Sequence, residues 1–198
     1  MSSISEESAR NISGELVEKF NRSIKDHYTE RDTIAIFILP FLEALGWDVH
    51  DVYEVRQGGF PYHLNKSIPV NYRSLKHPDC VISFNNAPHV ILEFKRLAYG
   101  PVDRYCQLVV DLFDKAVYTE AKYAVLTSFT RTLVYDGTKI VSDDDSNTFY
   151  DGVKVYDASS KKHDCTKIEP LIRFSNPADY LSKFNELWTH LSKEKAIR

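Results

Sequence analysis

Asp79, Glu93 and Lys95 are ionisable residues set among apolar neighbours that read as strands. Glu93 and Lys95 lie two apart in Val90-Ile91-Leu92-Glu93-Phe94-Lys95, so on a strand they share one face while Leu92 and Phe94 take the other. Asp79 precedes a second apolar run, Cys80-Val81-Ile82-Ser83-Phe84. The short polar link Asn85-Asn86-Ala87-Pro88 predicts an antiparallel hairpin that brings Asp79 near from the neighbouring strand. Charge on strands otherwise fit for burial needs a compensating partner. Two carboxylates beside an ammonium form a compact set of hard oxygen ligands, suited to Mg²⁺ or Mn²⁺, which keep several waters and take remaining ligands from a phosphate. A metal on Asp79 and Glu93 would polarise a phosphoryl group and acidify a water, while Lys95 would orient that water or offset charge on the pentavalent state. Rival signatures are missing: the sequence has no G-x-x-x-x-G-K-[ST] loop, no H-E-x-x-H and no G-x-S-x-G elbow. An E-x-K pair alone is commonly a solvated strand edge; Pro78-Asp79 ahead of a hairpin sets this one apart.

The elements that must carry these residues are legible around them. Ile12, Leu16, Val17, Phe20 and Ile24 share one face of a helix predicted over 11–27. Thr29-Glu30-Arg31-Asp32 offers a cap with an acid three places on, ahead of an apolar run that Pro40 must kink or restart and that Gly46 can stop. Residues 47–55 alternate and read as a strand, whereas 57–76, with Gly58, Gly59, Pro61 and Pro69, read as a long loop of the kind that tends to be functional. A helix from Pro101 to about Val117 precedes strands at 123–127 and 131–135, and an amphipathic helix over 177–194 closes the chain. Helix, helix, three strands, helix, strand, strand describes one α/β domain with a central mixed sheet flanked by helices.

With 198 residues, 43% of them hydrophobic, the chain has enough apolar matter for one full core. A net charge of −3 argues against holding nucleic acid by bulk positive charge. A local basic face is still offered by 56–77, which contains no acid, and Arg56, Lys66, Arg73 and Lys76 in it are candidate phosphate contacts. Asp143-Asp144-Asp145 lacks calcium-loop spacing and reads as an exposed turn. No run approaches the roughly 20 apolar residues of a membrane helix, and no signal core opens the chain, so a soluble cytoplasmic protein without a membrane partner is expected. Cys80, Cys106 and Cys165 cannot all pair and lack zinc spacing, so free thiols in a reducing compartment are expected.

Pro78-Asp79, a hairpin, then Glu93-x-Lys95 resembles the signature of the PD-(D/E)XK nucleases. Thr29-Glu30 leading into Phe41-Leu42-Glu43-Ala44-Leu45-Gly46-Trp47-Asp48, then Gln107, Ala124-Val125-Leu126-Thr127 and Leu133-Val134-Tyr135-Asp136, narrows the resemblance. It points to the N-terminal nuclease domain of type I restriction enzyme R subunits, over roughly 29–137. The resemblance implies a restriction-endonuclease-like core (about 29–141) and Mg²⁺-dependent cleavage of double-stranded DNA in a restriction or phage-defence setting, with Mn²⁺ as a substitute ion. It adds Glu30 to Asp79 and Glu93 as a metal-site acid and places Gln107 near the centre. By its position alone, Glu30 is an acid in a first helical turn and Gln107 a helix-surface residue. The family's Q-x-x-x-Y pattern is met at Gln107 but not four places on, where Asp111 stands. The family's ATP-driven motor is absent, which implies either an excised nuclease domain or a free-standing relative, with motor or specificity subunits of a restriction complex or a second copy in a homodimer as partners. Two alternatives stand beside this reading: a related nuclease for branched DNA or RNA, and a catalytically silent nucleic-acid-binding or assembly module.

Overall fold

The chain is seen in a computed structural model that describes residues 4–23, 27–59, 77–97 and 106–197. Helix α1 (Glu6–Arg22) begins before its apolar periodicity does, because the Ser5 hydroxyl accepts the Ser8 N–H and Glu6 and Glu7 complement the positive helix end. Helix α2 (Glu30–Thr33) starts with the expected reciprocal cap: Thr29 accepts from the Asp32 N–H, and Asp32 from the Thr29 N–H. It runs through a π-helical turn, Ile34–Ile38, into α3 (Leu39–Ala44), where Pro40 sits in the first turn. The backbone thus restarts where proline has no N–H to donate. Gly46, at φ 91°, then ends the helix: its N–H reaches Glu43 O and that of Trp47 reaches Leu42 O, the pair of bonds a left-handed cap allows.

The strand expected over 47–55 is largely absent. Asp48 and Asp51 accept the N–H groups of His50 and Tyr53, and these local turns outcompete a ladder until β1 (Val55–Gln57). The hairpin is as expected, β2 (Cys80–Phe84) pairing antiparallel with β3 (Ala87–Phe94). Helix α4 (Cys106–Thr119) crosses over to β4 (Tyr123–Thr127), parallel to β3, and β5 (Thr132–Asp136) turns back antiparallel. A second, four-stranded sheet follows, from β6 (Ile140–Ser142), β7 (Thr148–Tyr150), β8 (Val153–Asp157) and β9 (Lys162–His163). The chain then returns through β10 (Ile172–Phe174) to complete a six-stranded mixed sheet of order β1-β2-β3-β4-β5-β10. The closing helix is broken into α5 (Asp179–Ser182), α6 (Phe184–Leu191) and α7 (Lys193–Ala196).

Strand alternation divides the interior in two. Cys80, Ile82, Val90, Leu92 and Phe94 face the N- and C-terminal helices, whereas Val81, Ile91, Ala124, Leu126 and Leu133 face α4 and the second sheet. That sheet was not legible as strands, since its pieces are short and half-exposed. It docks on α4, where the Thr148 hydroxyl donates to Asp114 at 2.9 Å. Docking also corrects the expectation of free thiols: Cys106, at the start of α4, is disulfide-bonded to Cys165, 59 residues on, across a Cα–Cα separation of 5.5 Å. Cys80 stays free, and burial first, then the Asp79 charge, push its thiol up to about 12. Among the described residues no helix is long and apolar enough to cross a membrane.

Two predictions test this packing. Gly137 follows β5 with its N–H bonded to Lys122 O at 2.8 Å, and a Cβ there would stand 1.9 Å from the Ala121 carbonyl oxygen. Gly137→Ala should therefore cost about 3 kcal/mol in a urea titration, while Gly152→Ala, with open space around it and only the strain of its φ of 79° to bear, should cost about 1 kcal/mol. His89 is buried between Trp47 and Tyr123, and its Nε2 meets no hydrogen-bond partner among the described residues. Burial, then the Lys122 charge, hold its pKa below the ordinary 6.5, against a backbone hydrogen bond to His190. The unfolded chain thus binds the proton more readily, so stability falls as pH drops from about 6.5 towards the depressed value. His89→Phe should flatten that slope; an unchanged slope would assign it to other groups, His190 first.

Candidate active site

The hairpin register builds the centre. Cys80 pairs with Leu92 and Val81 with Ile91, so the same register carried one step further sets Asp79 opposite Glu93 on the face turned to α4. Asp79 Oδ2 accepts the Phe94 N–H at 2.7 Å, which fixes the carboxylate against the strand end. Lys95 extends β3 by one more bond, its N–H reaching Thr127 O at 2.9 Å. Its Nζ lies 3.6 Å from Glu93 Oε1 and 4.0 Å from Asp79 Oδ2, and donates to its neighbour's carbonyl, Phe94 O, at 2.5 Å. Side-chain exposure rises outward across the cluster, from 12% for Glu93 and 14% for Lys95 to 29% for Asp79. The centre opens at the sheet's end rather than inside it.

Helix α2 is tied to that end by Thr33, whose hydroxyl donates to Thr29 O at 3.0 Å and accepts the Leu97 N–H at 3.2 Å. The cap that starts α2 and the segment leaving β3 are thereby held together, and Glu30 comes within electrostatic reach of Lys95 and Asp79. Partial burial raises the Glu30 pKa; Lys95 draws it down and Asp79 pushes it up.

Lys115 was not selected from the sequence. It projects from α4, 4% exposed, and its ammonium donates to Glu93 Oε2 in a short ion pair. Glu93 therefore has an ammonium on each oxygen. Burial raises its pKa most, Lys115 opposes that, and Asp79 adds to it. A signal did exist: Leu108, Leu112, Lys115 and Thr119 form one helical row, and a lysine interrupts it where α4 covers the sheet.

Other expectations fall elsewhere. Gln107 bonds Asp111 Oδ1 at 2.6 Å on the exposed start of α4, with no contact to Asp79, Glu93 or Lys95 among those observed. Arg56 lies on the edge strand β1, and Lys66, Arg73 and Lys76 lie outside the described residues. Strand direction adds Arg96, after Lys95, and Arg131, before β5, to the centre's end of the sheet, whereas Asp136 and Glu54 belong to the opposite end.

Among the described residues no three His, Cys, Asp or Glu side chains are grouped so as to hold a metal ion, and Glu30 stands near Asp79 without joining it and Glu93 in such a group. The two-carboxylate set nonetheless fits Mg²⁺ or Mn²⁺, which need only one or two carboxylates when water and phosphate supply the rest. Comparison with protein-family models, with curated proteins and with solved structures found no match to this chain.

The bond from Phe94 to Asp79 separates structural from chemical roles. Asp79→Asn keeps a carbonyl oxygen for the Phe94 N–H and should lose less than about 1 kcal/mol of metal-free stability, whereas Asp79→Ala orphans that N–H and should lose about 2 kcal/mol. Equal losses in chemical denaturation would show that this bond does not hold the strand end.

Proposed function

We propose that the chain is a metal-dependent nuclease that hydrolyses phosphodiester bonds, with a restriction-endonuclease-like core and double-stranded DNA as its substrate. The observation that carries this is the convergence of Asp79, Glu93 and Lys95 at an open sheet end. Asp79 and Glu93 would hold Mg²⁺ or Mn²⁺, which when bound polarises the phosphoryl group and acidifies water. Glu30, in electrostatic reach of Asp79 and Lys95, assists the metal site as a further acid. Lys95 orients the attacking water and offsets the charge that develops on phosphorus, a task suited to an ammonium already facing both acids. Arg56, Lys66, Arg73 and Lys76 contribute phosphate contacts, and Arg96 and Arg131 extend them. One centre per chain cuts one strand at a time, so double-strand cleavage needs two copies or two successive nicks. Motor or specificity subunits of a restriction system are the alternative partners to a second copy.

One observation favours a second reading, a nucleic-acid-binding module without turnover: Glu93 already has a buried ammonium partner in Lys115. Incubation with supercoiled and linear DNA, with and without Mg²⁺ or Mn²⁺, decides between them, and parallel branched DNA and RNA test the substrate. Lys95→Ala should keep its circular dichroism and DNA affinity yet lose at least about 100-fold in cleavage, because its group acts chiefly in the transition state. DNA binding without metal-stimulated cleavage by the native chain would establish the module instead, and wild-type cleavage by folded Lys95→Ala would remove Lys95 from the chemistry.

A further inference from the structure

Lys115 belongs to the centre by position, yet the chemistry proposed above leaves it without a task. An ammonium 4% exposed is costly to bury, and it is sustained by Glu93, whose own burial it sustains in turn. Together the four side chains form an alternating row, Lys115, Glu93, Lys95, Asp79, in which two positive and two negative charges balance with no metal present.

The two lysines differ in freedom. Lys95 stands at a strand end with 14% of its side chain exposed and can turn towards an incoming phosphate. Lys115 is anchored within α4, whose first residue is bonded to Cys165, whose Asp114 bonds Thr148, and whose Thr119 hydroxyl donates to Lys115 O at 2.8 Å. Val109, Val110, Leu112, Phe113 and Ala116 of the same helix are buried too, and only 4% of the Lys115 side chain is exposed.

We propose that Lys115 is a built-in counter-cation: it holds Glu93 in position before metal arrives and, staying charged beside that carboxylate, it lowers the affinity of the site for metal. This rests on the metal-dependent reading above. The physical basis is direct: a divalent ion at Glu93 must share the carboxylate with a fixed positive charge, and in a half-buried site such repulsion is only weakly screened. Lys115 thus opposes the metal electrostatically while sparing Glu93 the cost of being buried alone.

The test is calorimetric titration of Mn²⁺ into the full chain and its Lys115→Met and Lys115→Arg variants, with circular dichroism on the same samples. Lys115→Met should bind Mn²⁺ at least about tenfold tighter than the native chain. It should also melt lower without metal and gain more from it, and Lys115→Arg should keep the native affinity. A lysine with only a structural role would lower the melting temperature without tightening Mn²⁺. Folded Lys115→Met that binds Mn²⁺ no more tightly than the native chain overturns the proposal, and leaves the nuclease reading intact if the native chain binds Mn²⁺ through Asp79 and Glu93. Binding by Lys115→Met alone supports it in its strongest form; binding by none of the three overturns both. If Lys115→Met does not fold without metal, recovery of its helical signal on adding Mn²⁺ supports the proposal, and no recovery at saturating Mn²⁺ overturns it.

Discussion

A carboxylate and an ammonium that share a water-poor position hold each other there, since either left alone would carry the full cost of a buried charge. Glu93 and Lys115 are such a pair, and much of the architecture can be read as the means of keeping them opposed. Glu93 is set by the β2–β3 hairpin and by the parallel pairing of β3 with β4; Lys115 is set by the helix that makes that parallel pairing possible. A parallel pair cannot be joined by a tight turn, so α4 must cross the sheet, and the crossing carries a lysine over the acid. The site and the topology are thus one consequence.

The two faces of the sheet do different work. Towards the terminal helices the interior is almost wholly apolar and rich in stacked rings, Phe37 on Phe129 and Phe129 on Tyr180 among them, which favours rigidity. Towards α4 the apolar layer gives way, at the strand ends, to Asp79, Glu93, Lys95 and Lys115. The apolar face supplies a platform, and the charged side chains are confined to the rim of the other, with exposure rising from Lys115 at 4% to Asp79 at 29%. The second sheet and the disulfide to Cys165 brace α4 from behind, on the side away from the strands.

Local chemistry determined a good part of this from sequence alone. The Thr29 cap, the restart at Pro40, the stop at Gly46 and the β2–β3 hairpin all depend on residues within a few places of one another, so their spacing suffices to read them. Asp79, Glu93 and Lys95 were legible for the same reason, since a strand's alternation and a short turn bring them together without help from the rest of the fold. Where local signals competed, reading failed: the alternation over 47–55 looked like a strand until Asp48 and Asp51 captured their own backbone. Only the tertiary structure decided the partnership of Lys115 with Glu93, the pairing of Cys106 with Cys165 and the second sheet. These join residues or short strands that need the docking of one layer on another, whereas the bond from Gln107 to Asp111, four places on, is local to its helix. Sequence carries the periodicity of each element; which faces meet is settled by packing, where the burial of one charge selects the partner that must lie against it.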